Sequence, residues 1–122
     1  MDSILTSVKK LLGITEECKH FDTDIIIHIN SVFLTLQQLG VGPAKGFSIS
    51  DEYATWDSYL PEDNPSFEAV KSYIYLKVRL LFDPPSSSAV MESMKNMANE
   101  LEWRLNAEAE TPTARKEEDQ NG

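Results

Sequence analysis

A single cysteine, Cys18, stands in the 122 residues of this chain. No disulfide can form within it, and the usage fits a reducing cytosol. Long apolar runs are missing too, none approaching the roughly 18 residues of a membrane span. Met1 to Leu12 lacks the order of a secretory signal, because Asp2 precedes the apolar residues and Lys9 and Lys10 interrupt them. Basic clusters are also lacking: 11 Lys and Arg face 20 Asp and Glu, for a formal net charge of −9. Gripping a nucleic-acid backbone takes clustered bases, so direct DNA binding is disfavoured as a main activity, while passive contact with DNA is not.

The motifs of common chemistries are absent as well. The sequence has no P-loop, no GxGxxG and no GxSxG. Cys18-Lys19-His20 is the one place where a nucleophile and a base lie close together. Adjacent residues rarely present both side chains to one substrate, and no third group orients them. His20 and His28 are eight apart, not the i, i+4 spacing of a helical metal pair. Glu62 and Asp63 are loop neighbours that read as a solvated acidic surface rather than an acid/base pair. No catalytic residue, cofactor site or metal ligand is assigned, and the chain is expected not to be an enzyme.

What is present is helical periodicity. At 41% hydrophobic residues the chain can form one modest core, and a domain this small gains from burying surface against neighbouring copies. A short helix is predicted over Ser3 to Leu12, with Ile4, Val8 and Leu11 on one face, capped by Asp2 or Ser3 and ended by Gly13. A long helix follows from Asp22 to Leu39, with Ile25, Ile29, Val32, Leu36 and Leu39 as its stripe. Asp22 is its expected N-cap, Phe21 and Ile26 an expected hydrophobic staple, and Gly40 its C′ residue, with Val41 folding back on Leu36. A third helix is predicted from Pro65 to Phe82, capped by Asn64, with Phe67, Val70, Ile74, Val78 and Leu81 inward. Asp83-Pro84-Pro85 stops it. The last runs from Ser88 to Asn106 on a stripe of Val90, Met94, Met97, Leu101 and Leu105. The expected fold is mainly α: a small bundle of three long helices plus a short N-terminal helix. It divides into a helical domain over residues 1–106 and a disordered acidic and polar tail over 107–122.

The stretch from Val41 to Asn64 breaks the pattern. It is longer than ordinary connections in compact domains. Phe47 and Ile49 alternate with Ser48 and Ser50, and a turn at Asp51-Glu52 towards Tyr53 to Trp56 leaves room for a short β-hairpin. Residues 51–68 carry Asp51, Glu52, Asp57, Glu62, Asp63 and Glu68 with no base, a block of −6; residues 107–122 carry five acids and two bases. Phe47, Asp51, Glu52, Tyr53, Trp56, Asp57 and Tyr59 form the candidate interface, since buried aromatics anchor interfaces. The alternative is that Phe47, Trp56 and Tyr59 cap the bundle.

Four stretches then act together. Val8-Lys9-Lys10-Leu11-Leu12-Gly13-Ile14 is followed by Phe21-Asp22 and the helix from Asp24 to Gly40. Trp56 stands among acidic neighbours. Ala69 to Pro85 ends on Asp83-Pro84-Pro85, and Leu101-Glu102-Trp103-Arg104-Leu105-Asn106 lies near the end. In this order the set resembles the head–tail connector (adaptor, or head-completion) proteins of tailed bacteriophages and prophages, whose members often open with a VKxxLxI segment. The resemblance implies a structural virion subunit without catalytic residues or cofactors. It implies a ring of about twelve copies, closed by rotation, below the portal protein. The ring would extend the DNA channel and join the head to a stopper or tail-completion protein. Its partners would be its own copies, the portal and the stopper, with genomic DNA only passing through and no membrane. It would act in the bacterial host cytoplasm during assembly and then at the head–tail interface of the virion. The middle segment varies in length among such proteins, so no portal-contacting residue carries over.

Ring subunits need spare apolar surface, and Ile26, Ile27, Phe33, Tyr73, Tyr75, Leu76 and Leu80 lie off the main stripes. A channel that DNA must traverse should not hold it, which suits an acidic protein. A second reading is a small cytosolic helical module that regulates or chaperones one partner through its Met-rich last helix. A helical DNA-binding regulator comes third, weakened by the missing basic face.

Overall fold

The structure is a computed structural model that describes residues 2–110 with their side chains. Five helices follow in order: α1 (Ile4–Leu11), α2 (Asp22–Gln38), α3 (Trp56–Tyr59), α4 (Phe67–Phe82) and α5 (Ser88–Asn121). The fold is mainly α, as the periodicity predicts. α4 packs against both α2 and α5, and α1 packs against α2. Ile4, Leu5 and Val8 of α1, Ile25, Ile29, Val32 and Leu36 of α2, Val70, Ile74 and Val78 of α4, and Ala98 and Leu105 of α5 belong to one buried cluster. Fully burying each aliphatic side chain is worth about 1.5–3 kcal/mol. No helix among the described residues is long and apolar enough to cross a membrane.

Local chemistry sets the helix ends. Ser3 caps α1, its Oγ accepting from the Thr6 amide at 3.2 Å. α2 closes as expected on Gly40, whose φ of +88° is a left-handed value that favours glycine. There the Val41 amide donates back to the Leu36 carbonyl at 2.9 Å and the Gly40 amide to Gln37 at 3.0 Å. Two starts differ from expectation. Asp22 lies inside the first turn of α2, with Phe21 in the cap position, because the Asp22 carboxylate is taken by Lys9 at 2.8 Å. In that cap position the Phe21 ring meets that of Phe82 at 5.4 Å. α4 starts at Phe67 rather than Pro65, because Asn64 Oδ1 accepts from the Ser66 amide at 2.8 Å and holds 64–66 in a turn.

Other expectations shift similarly. No hairpin forms between Phe47 and Trp56; the β contact found among the described residues is one antiparallel bridge between Ser3 and Thr55. α3 occupies part of that segment instead. α5 continues past Asn106, so residues 107–110, expected in the tail, are helical, and the side chains of residues 111–122, where α5 runs on to Asn121, lie outside the described residues. Leu11, Leu81, Val90 and Met97, expected inside, are exposed, while Phe33, Tyr73 and Leu76, expected as spare surface, are buried. On α5 the inward stripe runs Met94, Ala98, Leu101 and Leu105: Met94, Leu101 and Leu105 lie as expected, and Ala98 stands inside in place of Met97.

Candidate functional site

The segment between α2 and α4 is held by side chains rather than by a partner strand. Asn30 on α2 reaches across with its amide: Nδ2 donates to the Ile49 carbonyl at 2.9 Å, and Oδ1 accepts from the Ile49 amide at 2.8 Å. This pair reproduces the two hydrogen bonds a neighbouring strand would supply. The start of the chain adds a second seam, with the Ile4 amide donating to Ala54 at 3.0 Å and the Trp56 amide to Asp2 at 3.3 Å. Between these seams lie the aromatics. The rings of Phe33, Phe47 and Tyr59 meet mutually at 4.6–5.1 Å. Trp56 stands edge-on to Phe67 and donates its Nε1–H to Ser7 Oγ at 3.1 Å. A Cβ on Gly42 would come within 2.6 Å of the Tyr59 ring, so the chain passes this ring only as glycine. Burial pushes the Tyr59 hydroxyl well above the usual tyrosine range and leaves it without a hydrogen-bond partner.

The seven candidate interface residues therefore divide. Trp56 and Tyr59 are buried and Phe47 is half-buried, so these three fill the end of the bundle. Asp51, Tyr53 and Asp57 are exposed, Tyr53 at 78%. Asp51 Oδ1 accepts from the Tyr53 amide at 2.9 Å and Asp57 from Thr55 Oγ1 at 2.5 Å. Glu52 pairs with Lys19 at 2.8 Å, and this hydrogen bond raises Lys19 above the usual lysine value. The segment thus has an aromatic underside and an acidic outer face carrying one exposed tyrosine.

One charged residue is buried without any signal in the sequence. Lys9 ends an amphipathic helix, where lysine reads as solvent-facing. Its ammonium instead turns inward, donating to the Glu16 carbonyl at 3.1 Å and the Cys18 carbonyl at 2.6 Å and forming an ion pair with Asp22 Oδ1 at 2.8 Å. The linker from α1 to α2 is thereby clasped to both helices. Cys18 thus contributes its backbone here, and the His20 ring rests edge-on against Phe21 at 4.7 Å. Among the described residues no group of three or more His, Cys, Asp or Glu could hold a metal. On the far side, Tyr73 donates to Glu102 at 2.8 Å between α4 and α5, and burial, then this bond, pushes its hydroxyl upward.

The remaining surface is rich in large apolar side chains. Leu11, Phe21, Ile27, Leu34, Tyr53, Leu81, Val90, Met97 and Trp103 are all exposed. Leu11 and Met97 flank a groove of about 650 Å³ between α4 and α5, floored by Tyr75, Leu76 and Leu101. Sequence reasoning singled out Ile27 but missed Leu34 and Trp103; a second period on α2, offset from its buried stripe, is the signal for Leu34.

The family model described as phage connector protein matches residues 4–112. The chain belongs to the phage connector protein family. The match runs from the start of α1 into α5, so it covers the clasp, the middle segment and the groove of this connector-family chain. No curated protein and no solved structure matches it. Family and fold together give a structural phage protein.

Proposed function

We propose that this chain is a head–tail connector subunit that assembles as a ring below the portal, extends the DNA channel and provides the platform for a stopper or tail-completion protein. The observation that carries this reading is the connector family match over residues 4–112. The surface is in keeping with it: large apolar side chains stand exposed on α1, α2, α4 and α5. The acidic outer face of the middle segment, with Asp51, Glu52, Tyr53 and Asp57, is its portal-, stopper- or channel-facing part. Acidic groups along a channel let DNA slide without being held. The ring closes by rotational symmetry, with about twelve copies by the family resemblance. The subunit works first in the host cytoplasm and then at the head–tail junction.

The test is to image the purified chain, alone and mixed with portal particles, by electron microscopy and native mass spectrometry. Rings, free or seated on the portal, are expected. A phage lacking the gene should accumulate filled heads and separate tails. A chain that stays monomeric under both conditions, or a phage that still joins heads to tails without it, would leave the connector role unsupported.

A further inference from the structure

We infer that the outer face of α2 in one copy docks into the groove between α4 and α5 of the next copy, with Ile27 and Leu34 as its knobs. The inference rests on the ring reading above and names its subunit contact. Along α2, Asp24, Ile27, Ser31, Leu34 and Gln38 recur at spacings of 3, 4, 3 and 4, and all five are exposed. Ile27 and Leu34, at 58% and 57% exposure, are the apolar members of this ridge. They stand two turns apart, about 10 Å along the axis. The groove wall on α5 runs from Met97 to Arg104, the same seven-residue step and therefore about 10 Å as well. A two-knob ridge thus faces a two-turn groove.

Charge agrees with this pairing. α2 has Asp22 and Asp24 and no Lys or Arg, and Asp22 is already engaged by Lys9, which leaves Asp24 at the end of the ridge. The groove is lined by two bases and two acids, Lys71 paired with Glu68 at 3.6 Å and Arg104 with Glu100 at 2.6 Å, so a docked Asp24 meets the rim by exchanging places with one of these acids. No residue of the ridge lines the groove, so ridge and groove are two different patches. Two different complementary patches on one chain give the head-to-tail contact that closes into a ring, not the self-complementary contact of a two-fold dimer.

Two full-chain variants test this. Ile27→Asp with Leu34→Asp breaks the ridge and leaves the groove; Leu11→Asp with Met97→Asp breaks the groove and leaves the ridge. All four positions are exposed, and circular dichroism and the thermal midpoint verify that each variant folds. Each variant alone should lose rings and run as a monomer in native mass spectrometry. An equal mixture should form dimers and nothing larger, because one intact ridge meets one intact groove. Wild-type rings together with rings in either variant would overturn the contact while leaving the connector reading intact. So would a mixture that remains monomeric. If removing residues 111–122 abolishes rings that Ile27→Asp with Leu34→Asp retains, the chain's own end occupies the groove and the inference fails. A wild-type chain without rings, alone and on the portal, would remove the connector reading and this contact together.

Discussion

Trp56, in the irregular segment between α2 and α4, is 4% exposed, whereas Trp103, on the regular helix α5, is 73% exposed. The same side chain anchors the interior in one region and stands in water in the other. The middle segment has little regular backbone, yet several of its backbone polar groups are met: by the Asn30 amide, by the Gln37 amide, which donates to the Ala44 carbonyl at 3.1 Å, and by the seam with residues 2–4. α5 satisfies its backbone internally and so needs only one narrow stripe against α4. Irregular backbone can therefore be well buried when side chains supply its hydrogen bonds. A helix docked along one stripe leaves its other apolar residues free for a partner.

The largest test of this contrast uses the two tryptophans. Trp56→Ala should destabilise the chain by about 3–5 kcal/mol, through lost burial and a cavity at the bundle end. Trp103→Ala should stay within about 0.5 kcal/mol. Urea unfolding followed by circular dichroism measures both, and equal costs would erase the distinction. Next comes the clasp that carries the chain from α1 into α2. Lys9→Ala strands the Asp22 carboxylate and two carbonyls, and should cost about 3 kcal/mol. Lys9→Met with Asp22→Leu should recover part of that loss, because an apolar pair avoids the stranded charge. A double variant as unstable as Lys9→Ala would show that the two carbonyls, not the ion pair, are what Lys9 holds.

A smaller effect is expected at Asn30. Asn30→Ala leaves both polar groups of Ile49 without their partner and should cost about 1–3 kcal/mol, with hydrogen exchange accelerated at Ile49 more than in α4. Uniform protection would mean that the aromatics alone hold the segment. The smallest effect is at the acidic face. Asp51→Asn, Glu52→Gln and Asp57→Asn together should change stability by less than about 1 kcal/mol, since exposed pairs such as Glu52–Lys19 contribute little. Under the connector reading the same variant should alter the salt dependence of ring formation or head–tail joining, measured as ring yield and joined-particle yield across a salt series. Unchanged yields at every salt concentration would confine the segment to its capping role.

Much of the fold is legible in the sequence because stripes on α2 and α4 are long and strictly periodic. Ile25, Ile29, Val32 and Leu36 are buried as their spacing predicts, and Asp83-Pro84-Pro85 ends α4 where proline chemistry requires. Two of the misses depend on a residue far away in sequence, and a third on a small residue. Asp22 looks like a cap until Lys9 takes its carboxylate. Phe47 to Ile49 alternates like a strand, but its partner is an asparagine side chain rather than another strand. The α5 register turns on Ala98, too small to stand out beside Met97. Of the candidate interface, capping of the bundle by Phe47, Trp56 and Tyr59 was readable as one of two alternatives but not decided, because alternation says which residues share a face but not which face meets the core.

The Lys9 clasp also has a consequence for the reactivity of the molecule. Among the described residues it is the one buried charged side chain, while Lys10, Lys19, Lys45 and Lys95 stand in water. An acylating reagent reaches those amines at once, but it reaches Lys9 only when the corner between α1 and α2 opens. The rate at which this single amine is modified is therefore a clock for that opening, built into the chain without any added label.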